Sequence, residues 1–445
     1  MPVLRGLRPS PLDRDIARLA LPALGALVAE PLFLLTDTAL VGHLGAEALA
    51  GVGIASTVLQ TAVGLLVFLA YATTPLVARR LGEGDRPGAV SAGIDGMWLA
   101  LGIGVVLASA AAPLAAPVVD AFGVSPSVAG LGTAYLLTSL AGLPAMLVVV
   151  AGSGLLRGLQ DTRTTLVVAG AGFGVNAALN AVLIYPAGLG VIGSALGTVV
   201  AQYGMAAVYA VLAVRAARST RARIRPSARA LGSVARSGGW LFLRTVTLRA
   251  ALVLTTVAAA GVGLATLATA QVALTVFFAL ALALDALAIA AQSMLGHARG
   301  RGDADRIRAI AGRVTLLGVL AGLALALPTA ALSGVAGRAF TSDPAVLAAL
   351  PIALLLLAAA LPVAGYVFVL DGVLIGMADN RYLAVAGLAN LAGYAVVLAP
   401  VLVLRPEGTG ATAALWTAFA VGMLGPRALT LGLRVRGTRW LRNLP

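Results

Sequence analysis

Apolar runs of roughly 20 to 30 residues recur along the whole chain, separated by short segments that carry most of its charge. A helix rises 1.5 Å per residue, so each run is long enough to cross a hydrocarbon layer of about 30 Å. Barrel strands would instead show as alternating segments of about ten residues, and none are visible. Composition agrees with lipid as the main solvent: 60% of residues are hydrophobic, 11% are charged, and mean hydropathy is +0.99. The pattern predicts an all-α membrane protein with twelve transmembrane helices, near residues 16–41, 48–78, 88–110, 127–155, 163–186, 191–214, 237–260, 264–297, 307–332, 345–376, 382–404 and 409–433. The start resembles a signal peptide, but its apolar run continues past Glu30 to about Val41, so it reads as a retained first span.

A formal charge of +14 would suit nucleic acid, yet the basic residues sit in short clusters between apolar runs, so no nucleic-acid partner is expected. Charge here reports topology. Of the 31 basic residues, all arginine, 26 fall on the termini and alternate loops, while the opposite loops hold only Arg338 and Arg405. The positive-inside rule then predicts both termini and the Arg-rich segment 215–236 to be cytoplasmic. Exclusive use of arginine, with abundant Ala, Gly and Leu, reads as the bias of a GC-rich bacterium and places the chain in a bacterial plasma membrane.

Function classes fall away on composition. There is no cysteine for disulfides, thiolate metal sites or thiol chemistry. Two histidines, His43 and His297, cannot form His-Glu-x-x-His, a chain without lysine carries no Walker A motif, and no Gly-x-Ser-x-Gly occurs. Gly188, Gly190 and Gly193 fit a dinucleotide spacing, but between two spans with no strand they read as a turn. No cofactor or metal ion is expected, and an intramembrane enzyme or passive channel is the rival class to a transporter.

A constant offset of 218 residues aligns the two halves. Gly45 and Leu49 fall on Gly263 and Leu267, Gly84-Asp85 on Gly302-Asp303, and Gly190 on Gly408. GLLRGLQDTR, with Gly154, Gly158, Asp161 and Arg163, falls on GVLIGMADNR, with Gly372, Gly376, Asp379 and Arg381. Six is even, so both copies insert the same way, with a pseudo-twofold axis along the membrane normal. Residues 1–214 are expected to form one six-helix bundle and 237–445 the other around a central cavity, with 215–236 as their linker.

Ionisable groups at membrane depth are costly unless paired or facing water. At 1.5 Å per residue from a cytoplasmic start, Glu30 and Asp37 lie about 21 and 32 Å along helix 1, and Asn176 and Asn180 about 20 and 26 Å along helix 5. These four can meet at one level. Asp37 has no arginine near that depth, and its equivalent in the second half is Thr255. An unpaired carboxyl in such a cleft can exchange protons. Asp285 and Asp371 lie deeper toward the cytoplasmic side, near Arg244 and Arg249, as structural ion pairs or gate charges. Asp95 and its repeat partner Arg313 are expected to pack at the interface or act in a gate. His43 follows helix 1 and either caps a loop or responds to pH.

These residues resemble a known family. AEPLFLLTDTALVGHLGAEALAG, with Glu30, Pro31, Asp37, Thr38, Gly42, His43 and Gly45, is similar to helix 1 and the following loop of multidrug and toxic compound extrusion (MATE) transporters of the DinF-like branch. ATTPLVARRLGEGD, GLLRGLQDTR, LDALAIAAQSMLG and LDGVLIGMADNRYL extend the resemblance over the chain in order. It implies two six-helix bundles around a cavity, alternating access, and export of organic cations or other amphipathic compounds in exchange for H+ or Na+. Asp37 matches the family's proposed proton acceptor, Pro22 its helix 1 kink, and Asn176 the first position of an Asn-x-x-x-Asp pattern. Asn180 departs from that pattern, which weakens any scheme with two carboxylates or a tightly held Na+. A monomer is expected. A lipid-linked precursor flippase of the same superfamily is a second reading, disfavoured because the arginines lie in loops rather than in a cavity.

Overall fold

The computed structural model describes residues 9–441; Arg5, Arg8 and Arg442, which entered the topology argument, lie outside the described residues. Among the described residues the chain is helical and contains no strand. Its spans are α1 (Pro11–Gly42), α2 (Ala46–Gly82), α3 (Arg86–Asp120), α4 (Pro126–Leu140 with Leu143–Gly158), α5 (Thr162–Ile184), α6 (Gly190–Thr220), α7 (Val234–Val262), α8 (Leu264–Gly300), α9 (Ala304–Ala339), α10 (Pro344–Gly376), α11 (Asn380–Leu404) and α12 (Gly408–Arg436). Each matches one span read from the sequence. Val106, Leu35, Val403 and many other large apolar side chains are exposed, which is costly in water and neutral in lipid.

Two of the departures from regular helix lie next to a proline. α4 bends by 50° between Leu140 and Leu143. Pro144 has no N–H, so the Leu140 carbonyl loses its i+4 partner there. α12 widens into a π-helical stretch at Phe419–Leu424 just before Pro426, whose ring and missing N–H disfavour the regular turn.

The residues group into two compact units: one holds those up to Ala20 and from Gly239 onward, the other Leu21–Gly238. The division therefore falls inside α1, one residue before Pro22, as well as near the 215–236 segment. Asp13 explains where the start of α1 belongs. Its carboxylate takes both the Nε and an Nη of Arg313 on α9 at 2.5 Å, and Asp15 adds Arg306 at 3.4 Å. Segment 215–236 is itself largely helical, since α6 runs to Thr220 and a helix restarts at Ala228.

The repeat is visible in local backbone. Positive φ recurs at Gly84 and Gly302, at Gly190 and Gly408, and, away from glycine, at Gln160 and Ala378. Asp85 and Asp303 cap the helices that follow, each accepting the amide three residues on. The glycines of the shared motif bring helix backbones together: a Cβ on Gly154 would lie 3.1 Å from the Ala70 carbonyl, and one on Gly372 would lie 2.6 Å from the Ala288 carbonyl, its equivalent. Side-chain-free positions thus fix how α4 packs on α2 and α10 on α8. Gly372→Ala is expected to lower the melting temperature of the purified protein, with an overpacking cost of about 1–3 kcal/mol. Gly102→Ala, whose Cβ meets nothing within 4 Å, serves as the control.

Candidate functional site

In the Leu21–Gly238 unit, four helices converge on one carboxylate. Asp37 on α1 accepts hydrogen bonds from the Ser194 hydroxyl on α6 at 2.5 Å and from the Asn180 Nδ2 on α5 at 2.8 Å, both to Oδ1. The Tyr135 hydroxyl on α4 donates to Oδ2 at 3.4 Å. Asp37 is 5% exposed, and Asn180 and Ser194 are fully enclosed. The α5–α6 hairpin makes this convergence possible. A Cβ on Gly193 would stand 2.6 Å from the Leu183 carbonyl, and one on Gly197 would overlap the Asn180 side chain. Without side chains at those two positions the helices close enough for Ser194 and Asn180 to share an oxygen.

A buried carboxylate is tolerated when donors replace its water, and hydrogen bonds to a charged acceptor are stronger than neutral ones. The Ser194 distance falls in the range of charge-assisted O–H···O⁻ bonds. No arginine or histidine among the described residues pairs with Asp37. His43 instead turns Nδ1 to the Ala39 carbonyl at 2.7 Å and is exposed.

Of the four polar groups expected at one level, Asp37 and Asn180 are joined directly. Asn176 bonds Thr198 at 3.0 Å instead, and exposed Glu30 is not among the partners of Asp37. Tyr135, Ser194 and Thr198 were not singled out from the sequence. A signal existed for two of them, because Gly193-Ser194 and Gly197-Thr198 form a small-residue stripe at i, i+4 on one helix face. Tyr135, one hydroxyl in an apolar run, gave none. The Oδ1 atoms of Asn176 and Asn180 are buried without a hydrogen-bond partner.

The other unit lacks this carboxyl. Thr255 stands at the position of Asp37 and bonds Tyr394, the equivalent of Asn176, at 2.7 Å. Its charge lies elsewhere: Asp371 on α10 takes Arg244 of α7 at 2.6 Å and also Arg427 of α12, with side chains 7%, 12% and 10% exposed. Arg427, turned inward just after the π stretch, is the member missed from the sequence. Asp285 on α8 is half-buried. Asp95 and Arg313 are each in an ion pair, with Arg223 at 2.7 Å and with Asp13. No group of three or more His, Asp or Glu suited to a metal ion occurs among the described residues.

Comparison with known proteins follows the same duplication. A family model described as MatE matches residues 22–182 and 243–401, one stretch in each half. The chain is 28% identical over 378 residues to Protein DETOXIFICATION 45, chloroplastic, of Arabidopsis thaliana, covering 80% of this chain and 67% of that one. It is 28% identical over 303 residues to DNA damage-inducible protein F of Escherichia coli K12, covering 66% of this chain and 65% of the relative. An outward-facing multidrug resistance MATE family transporter of the MOP superfamily shares the fold, with a TM-score of 0.83 at 21% identity over 97% of each chain. Matched by one family model in both of its halves, this multi-pass membrane protein belongs to the MATE family of multidrug efflux transporters, and is a transporter rather than an enzyme.

Proposed function

We propose that the chain is a secondary active antiporter of the bacterial plasma membrane, exporting organic cations or other amphipathic compounds in exchange for protons, with Asp37 as the coupling acid. The observation that carries this reading is a buried carboxylate held by three neutral donors and no cation. A permanent positive partner would lock Asp37 in its ionised form, whereas hydroxyl and amide donors let it take a proton and return. Ionised Asp37 favours a lipophilic cation, and protonation from outside neutralises the site and favours release. Coupling then rests on the different affinities of two conformations for two competing ligands.

Asn180 gives this cycle a structural response. It donates Nδ2 to the ionised carboxylate, and its Oδ1 is buried without a partner beside Gly197. A protonated Asp37 becomes a donor and needs an acceptor, which the amide supplies by turning over. With Asn180 at the position of a second acid, the cluster holds a single negative charge, which supports H+ over Na+. Pro22 frees the Arg18 carbonyl next to the division between the units, a natural hinge for α1 while Asp13 keeps its start on Arg313. The whole cluster lies in one chain, so a monomer suffices, and the arginine distribution supports cytoplasmic termini.

Fluorescent-dye transport in proteoliposomes, with separately imposed gradients, tests the reading. Dye movement is expected to be driven by a proton gradient alone and to saturate with dye. Transport driven only by a sodium gradient would overturn proton coupling, and flux that needs neither gradient would mark a passive pathway.

A further inference from the structure

Within the Leu21–Gly238 unit, an apolar groove of about 190 Å³ opens between α3, α4 and α6. Ile94, Met97 and Leu101 line it from α3, Val148 from α4 and Val214 from α6, with Ile224 at one end. From Ile94 to Leu101 it follows α3 for about 10 Å, the scale of a stretch of acyl chain. The one polar group on its wall is already used: the Trp98 indole N–H donates to the Ile224 carbonyl at 3.1 Å. Residues 223–227 are strapped over this end of α3. The Arg223 amide donates to Ser91 Oγ at 2.9 Å, its guanidinium pairs with Asp95 at 2.7 Å, and the Ser227 amide reaches Asp95 at 3.3 Å.

The rim of the groove is positive. Arg218 follows Val214 by four residues, hence on the same face one turn further along α6. Arg221 precedes the strap and Arg225 lies within it. All three are exposed, and none has an acidic partner among the described residues. An apolar slot that ends at a tryptophan and unpaired arginines is complementary to a lipid tail joined to a phosphate. A lipophilic cation would be repelled at the same rim.

We propose that this groove binds one anionic phospholipid, with an acyl chain along α3 and α6 and the phosphate on Arg218, Arg221 and Arg225. The site is independent of Asp37 and does not rest on the antiport reading. Native mass spectrometry of the purified full chain, titrated with phosphatidylglycerol and with phosphatidylcholine of the same acyl chains, tests it. Each arginine at the rim is expected to contribute about fivefold in affinity for the anionic lipid. Arg218→Gln combined with Arg225→Gln should therefore remove about 25-fold of the phosphatidylglycerol preference, at an unchanged melting temperature because both positions are exposed. Ala210→Phe, at an exposed position on the groove wall, should weaken retention of both lipids. Equal retention of the two lipids by the unaltered protein overturns the proposal. So does a double arginine variant that keeps the preference, or an Ala210→Phe protein that holds its lipid as before.

Discussion

Asp37→Asn is expected to abolish the proposed proton-driven efflux and to leave the protein folded. Asparagine keeps the shape of aspartate, and the surrounding groups can adapt to it: the Ser194 and Tyr135 hydroxyls each donate or accept, and the Asn180 amide can turn. The variant also avoids burying a charge at a position 5% exposed, so its melting temperature is expected to equal or exceed that of the unaltered protein. What it cannot do is exchange a proton. In proteoliposomes the dye flux driven by a proton gradient should fall to that of protein-free vesicles. Gradient-driven transport by a well-folded Asp37→Asn protein would remove Asp37 from the coupling step. Loss of both transport and thermal stability would mean instead that the carboxylate is a packing element of the α1, α4, α5 and α6 junction.

The spans were legible because lipid imposes one requirement on every crossing segment, and that requirement is written as an uninterrupted apolar run. The duplication was legible because its signature lies in glycines and caps with local jobs, and those jobs reappear as paired positive φ values and backbone contacts such as Gly154 on Ala70 and Gly372 on Ala288. Depth along a helix brought Asp37 and Asn180 to one level, and they do bond. Rotation around a helix is a different matter. An apolar run surrounded by lipid and by other helices has little amphipathic bias, so nothing in it told that Ser194 and Tyr135 face Asp37 or that Glu30 is exposed. Arg427 shows the same limit more sharply. Its inward turn depends on the π stretch ahead of Pro426, and a shift from an i+4 to an i+5 bond leaves no periodic trace in six apolar residues.

Asp371→Ala is expected to be the most destabilising single change in the unit that holds Gly239 and the residues after it. Asp371 ties together three helices, α7 through Arg244, α10 through its own backbone and α12 through Arg427. Removing it leaves two guanidiniums close together at low exposure, with no carboxylate among the described residues to take Arg427. Breaking a buried ion pair from one side costs about 3–5 kcal/mol, a large share of the stability of any single unit. The measurable result is a marked fall in melting temperature and in the yield of monodisperse protein. Asp371→Asn keeps an acceptor for one guanidinium without the charge and should fall between the two. The double variant Asp371→Leu with Arg427→Leu removes opposite charges together and should recover part of the loss, because an apolar pair of similar volume avoids the desolvation cost altogether. A gate charge would behave differently: Asp371→Ala would then melt as the unaltered protein does while transport stops, and that pattern would move the Arg244–Asp371–Arg427 cluster from scaffold to mechanism.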